Sequence, residues 1–88
     1  MSEVFSHNAA ERRYELAVDG HIAHADYHLD GESIVFTHTL TPPALRGRGV
    51  GARLAHAALT DAKARGLKIV PACSFIADYL VKHPRFAS

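Results

Sequence analysis

The sequence predicts an α/β fold of the α+β kind: a three-stranded antiparallel meander, a helix, a fourth strand parallel to the third, and a short C-terminal helix. Three observations predict it. Two runs of alternating apolar and polar residues each end in an Asp-Gly pair, the signal of a hairpin turn. A β-branched and aromatic run, Ser33 to Leu40, follows. A Gly/Pro-free amphipathic run, Ala52 to Arg65, then separates that strand from a second short apolar segment.

Residues 1–11 read as a short, polar, flexible arm, and residues 12–88 as a single domain. Arg12 to Val18 sets Tyr14, Leu16 and Val18 against Arg13, Glu15 and Ala17, the period of a half-buried strand. Asp19-Gly20 turns the chain. His21 to Leu29 alternates again, with Ala23, Ala25, Tyr27 and Leu29 on one face, and ends at Asp30-Gly31. Ser33 to Leu40 is apolar or β-branched on both faces and reads as a central, doubly covered strand. The helix from about Val50 to Arg65 buries Val50, Leu54, Ala57, Ala58 and Ala62, and stops at Gly66. Leu67 to Val70 is a fourth strand, parallel to the third because strand–helix–strand crossovers are right-handed. Ser74 caps a last helix that runs to about Lys82 before His83-Pro84.

The most informative stretch is Arg46-Gly47-Arg48-Gly49-Val50-Gly51, between the third strand and the helix. The first turn of a helix has N–H groups with no intrahelical partner and a partial positive charge. Glycines there let an anion approach those donors, and Arg46 and Arg48 add charge that pairs with phosphate oxygens. A pyrophosphate fits this description. Pro42, Pro43 and Pro71 close the third and fourth strands, and none can donate a ladder hydrogen bond, so the two parallel neighbours part at this end. Backbone groups of Thr39, Leu40 and Thr41 then face a gap in which an extended, amide-containing ligand can bond as an added strand. Pantetheine is such a ligand.

Composition narrows the classes further. A formal charge of +1, with the arginines clustered rather than spread over a face, argues against a nucleic-acid partner. No apolar run is long enough for a membrane span, and Met1 to Ala10 lacks the pattern of a signal peptide. One cysteine forms no intrachain disulfide, which fits a reducing, cytoplasmic setting. At 88 residues the core is only just adequate, so a ligand, a protein partner or homo-oligomerisation has room to stabilise it. Seven histidines raise the question of a metal, but His24 and His28 lie about 13 Å apart along a strand, and no metal site is predicted.

Arg46, Gly49 and Gly51 occupy the positions of the Gln/Arg-x-x-Gly-x-Gly/Ala signature, and the chain here resembles the GNAT superfamily of N-acetyltransferases. Phe36-Thr37-His38-Thr39 before the signature, and Pro71-Ala72-Cys73-Ser74-Phe75 with His83-Pro84 after it, look like the short YjdJ-type branch. The resemblance covers nearly all of the chain after Arg12. It implies a compact GNAT-like fold and acetyl-CoA as co-substrate, with pyrophosphate on the amides of Arg46 to Gly51 and pantetheine along residues 38 to 41. The amine acceptor is not identified by it. Full-length members carry helices before the first strand that wall the acceptor site, and here only the short arm stands there. Many members also place on the last helix a tyrosine that protonates the leaving thiolate. If Phe86 aligns with the phenylalanine that follows it, that position is Val81, and Tyr79 lies two residues away.

Cys73 takes the place of that acid. It lies where the fourth strand meets the N-terminus of the last helix, a location that lowers a thiol pKa, and the branch resembled treats this cysteine as its active-site residue. It either accepts the acetyl group as a thioester or donates a proton to the departing sulfur. His38, at the same end of the sheet, is the candidate base for Cys73 or for an incoming ammonium. The expected function is acetyl-CoA-dependent N-acetyl transfer to a small-molecule or protein amine. The alternative is a non-catalytic acyl-CoA-binding or regulatory module.

Overall fold

The computed structural model describes residues 3–86. Five strands form one sheet in the order of the chain: β1 (Glu3–Asn8), β2 (Arg13–Val18), β3 (His21–Asp30), β4 (Ser33–Leu40) and β5 (Lys68–Pro71). The first four pair antiparallel and β5 runs parallel to β4. Two helices, α1 (Val50–Ala64) and α2 (Ser74–Lys82), complete the α+β fold, and α1 makes the predicted crossover.

The N-terminal segment differs from the expected arm. Glu3 to Asn8 pairs with Val18 to Arg13 in regular register, which adds an edge strand. Phe5 and His7 point inward and stack on the ring of Tyr14, at 5.7 and 4.3 Å between centroids. Asn8 starts the turn into β2, its Oδ1 accepting the N–H of Glu11. Asp19 and Gly20 both have positive φ, as a tight hairpin between twisted strands requires. The second hairpin loop is Gly31-Glu32 rather than Asp30-Gly31, because Asp30 pairs with Ser33.

The core lies between one face of the sheet and α1. Tyr14, Leu16 and Val18 from β2, Ala23, Ala25 and Tyr27 from β3, and Ile34 and Phe36 from β4 meet Val50, Leu54, Ala55, Ala58, Leu59 and Ala62 of the helix. Alanines on β3 and on α1 allow the helix to approach closely, and α2 packs beside it. The helix ends as the sequence requires: Gly66 takes φ 77° while the N–H of Leu67 bonds the carbonyl of Ala62. The outer face of the sheet is not covered. Val4, Ile22, Leu40 and Val70 are exposed there and Val35 is half-buried, so β4 is internal in the sheet but buried on one face only.

One irregularity positions everything that follows. The β3–β4 register slips at Asp26/Tyr27, so that Phe36 pairs with Tyr27 and His38 with Asp26, leaving Thr37 as the extra residue. Before the bulge, Ile34 and Phe36 face the core. After it, Thr39 pairs with inward-facing Ala25, while His38 and Leu40 pair with outward-facing Asp26 and His24.

Candidate functional site

Pro42 starts a 3-10 turn, Pro43–Leu45, which buries Leu45 completely and delivers the chain to the glycine-rich turn. Gly47 and Gly49 take φ of 78° and 71°, the left-handed region that side chains disfavour. Gly49 is the N-cap of α1 and supplies no side-chain cap, and no acidic residue stands in the first turn. The first-turn amides therefore keep their donors, and the helix dipole is not offset there. Gly51 has ordinary φ and is small for a different reason. A Cβ at this position meets Phe75 Cζ at 3.0 Å and Thr41 Oγ1 at 3.2 Å. Thr41, Arg46, Gly47, Gly49, Gly51 and Phe75 are among the residues lining a cleft of about 310 Å³. An open cleft with free amides and a cationic rim suits a phosphate or pyrophosphate.

The two arginines of the turn are not equivalent. Arg48 Nη2 lies 2.7 Å from Asp19 Oδ2, on the β2–β3 hairpin. Arg46 is exposed and makes no ion pair with the described residues. Arg53, one turn into α1, donates from Nη1 to the carbonyl of Arg48 at 2.8 Å and from Nε and Nη2 to Glu3. This brace ties the glycine turn to β1. No local signal marks Arg53 for this role, because its carboxylate partner Glu3 is brought to it by a strand that was not foreseen.

β4 and β5 pair only from Ser33/Lys68 to Phe36/Pro71, while β4 continues to Leu40. The two strands part where the prolines predict. Among the described residues, 37–40 have no partner strand on the β5 side, which leaves alternate backbone groups of this stretch facing the gap.

Cys73, the N-cap of α2, lies at the head of this gap. Its Sγ is 3.4 Å from Thr39 Oγ1. Partial burial pushes the thiol pKa up, but the Thr39 hydroxyl and the backbone N–H groups of Ile76, Phe75 and Thr39 favour the thiolate, and the net shift is downward. The dipole argument made from sequence thus gains three named amides and a hydroxyl.

His38 does not join Cys73. The bulge turns it to the outer face, where its ring lies 6.2 Å from that of His24, and His24 Nδ1 is 2.8 Å from Asp26 Oδ1. The residue that the bulge brings to the thiol is Thr39. Among the described residues no group of three or more His, Cys, Asp or Glu side chains is placed to hold a metal ion. Val81 is 81% exposed and carries no acid, and Tyr79 is buried with its hydroxyl 3.5 Å from His56 Nδ1 and its ring stacked on His83. No helix among the described residues is long and apolar enough to cross a membrane.

Thr41, just after β4, and Phe75, two residues after Cys73, both line the glycine cleft, so a track leads from it toward the gap and the thiol. A family model described as GCN5-related N-acetyl-transferase matches residues 13–88, and the chain belongs to that family.

Proposed function

We propose that this member of the GCN5-related N-acetyltransferase family binds acetyl-CoA along that track and transfers the acetyl group to an amine through Cys73. The observation that carries the reading is the thiol itself, hydrogen-bonded for its thiolate by Thr39 and by the first amides of α2 at the head of the β4–β5 gap. The fit of the co-substrate rests on the cleft. Gly51 keeps it open, Gly47 and Gly49 aim its amides, and Arg46 has its charge available for a phosphate oxygen. Thr39, Leu40 and Thr41 offer backbone to the amides of pantetheine. Acetyl-CoA supplies an activated acyl group when bound.

In this reading the Cys73 thiolate attacks the acetyl carbonyl carbon, the bond from that carbon to the CoA sulfur breaks, and CoA leaves as a thiolate that takes a proton from water. The exchange between two thioesters is nearly isoenergetic. A neutral amine then attacks the acetyl-cysteine, an amide forms, the amine proton is lost, and Cys73 is released. His38 is not the base for Cys73 in this scheme. From the outer face it can still take the proton of an ammonium acceptor that enters on that side.

Intact mass spectrometry of the protein incubated with acetyl-CoA tests the proposal, beside Cys73→Ala and a calorimetric titration with CoA. A hydroxylamine-labile adduct of one acetyl group, absent from Cys73→Ala, is expected, together with CoA binding that the variant retains. Binding with no adduct, and transfer at the wild-type rate in Cys73→Ala, would sink the cysteine route. Binding with no transfer to any amine leaves the acyl-CoA-binding module, a reading favoured by the separation of His38 from the thiol.

A further inference from the structure

The other end of α1 holds a second recess, on the side of the molecule away from the glycine turn. It has a volume of about 250 Å³ and lies between the inner sheet face and the last turn of the helix. Ile34, Leu67 and Leu29, the rings of Tyr14, Tyr27 and His7, and Arg65 line it.

The polar groups around it are arranged so that only one of them is available to a ligand. Tyr14 donates to Asp61 Oδ2 at 2.7 Å, and Arg65 donates from Nε to the same oxygen at 2.6 Å. His7 Nε2 and the Tyr27 hydroxyl bond each other, and His7 Nδ1 stands 3.8 Å from Asp61. Desolvation and the charge of Arg65 depress the His7 pKa, so the imidazole is neutral near pH 7. Tyr27 and His7 thus pair with each other and Tyr14 with Asp61, which leaves ring and aliphatic carbon as the larger part of the lining. Asp61 is not among the lining residues, its carboxylate being turned to Tyr14 and Arg65. What remains is the Arg65 fork, whose Nη groups make no hydrogen bond among the described residues and whose side chain is 52% exposed.

We infer that this recess is a second ligand site, for a small monocarboxylate with an apolar ring or short branched chain. The carbon walls take the apolar body and the Arg65 Nη groups take the carboxylate in a two-point bond. No carboxylate is among the described residues that line it, so it has no charged group to hold a cation. A phosphorylated nucleotide is too large and too polar for the walls. The site is independent of the glycine cleft, which begins at the opposite end of the helix, and of the acyl-transfer reading.

The test uses the whole chain and amide NMR, with sodium benzoate as the probe and benzamide as its neutral counterpart. Benzoate is expected to shift the amides of Leu29, Ile34 and Leu67 saturably in the millimolar range. Benzamide is expected to bind about tenfold more weakly, the loss for one charged hydrogen-bond pair. Arg65→Gln should weaken benzoate to the benzamide level while Arg65→Lys keeps part of the affinity. Arg65 is half-exposed at the helix end, so both variants should fold, and the benzoate–benzamide comparison needs neither of them. The inference is overturned by any of three results: no saturable shift, shifts confined to residues 46–51, or equal affinity for benzoate and benzamide.

Discussion

The two ends of α1 are built by opposite rules. At the N-terminus two left-handed glycines, a missing side-chain cap and an uncompensated first turn leave backbone donors open to a cleft. At the C-terminus Gly66 closes the backbone, Asp61 collects Tyr14 and Arg65, and Tyr27 bonds His7. One helix therefore presents open main-chain donors at one end and, at the other, a recess lined by side chains. The difference shows where this small domain can tolerate unsatisfied groups: at the end where an anion can complete them, and not beside the core.

The comparison is broken most severely by filling the N-terminal cleft. Gly51→Val puts methyl groups into Phe75 and Thr41, and titration calorimetry should show CoA affinity falling at least about tenfold, with a stability cost of about 1–3 kcal/mol from overpacking. Unchanged affinity would mean that CoA does not use this cleft. At the other end, Tyr14→Phe removes a buried donor to a charged carboxylate and should cost about 1.5–3 kcal/mol in urea unfolding while sparing CoA binding.

The same end predicts a pH effect. Burial pushes the Asp61 carboxyl up, but the Tyr14 hydroxyl and Arg65 outweigh it, so its folded pKa lies below the unfolded value. Its contribution is complete above the unfolded pKa of about 3.9 and is lost as pH falls through the lower folded value. Asp61→Asn should flatten that acid limb of the stability curve, and a limb of unchanged steepness would assign it to other carboxylates.

Two smaller effects sharpen the contrast. Thr39→Val keeps the shape of the side chain but removes the hydroxyl that favours the Cys73 thiolate. The pH midpoint of iodoacetamide alkylation should move up toward that of a free thiol, and an unmoved midpoint would leave the α2 amides as the whole cause. Arg53→Ala should cost little stability, since its pair with Glu3 is exposed, yet loosen the turn through the Arg48 carbonyl. A two- to threefold weakening of CoA, by calorimetry, is about the size expected for that loss.

Much of the fold was legible because its signals are local. Alternation in residues 13–18 and 21–29, the Asp19-Gly20 turn and the Gly66 stop each depend on residues within one element. The glycine turn was legible for the same reason, since φ at 47 and 49 is a property of the backbone there. β1 was not, because Glu3 to Asn8 becomes a strand only by stacking Phe5 and His7 on Tyr14. Glu3, the carboxylate partner of Arg53, was hidden with it. Nor could sequence reveal which of His38 and Thr39 meets Cys73. That choice is made by a register slip between β3 and β4, and a bulge at Thr37 leaves no composition mark of its own.

The bulge at Thr37 acts as a parity bit for the active end of the sheet. Straightening it with every residue kept would put Thr37 opposite Asp26, send Thr39 outward and bring His38 to the inner face, toward the sulfur, whereas deleting Thr37 would leave both facings as they are. One step of register thus separates a hydroxyl–thiol pairing from an imidazole–thiol pairing on the same scaffold, with no change of sequence.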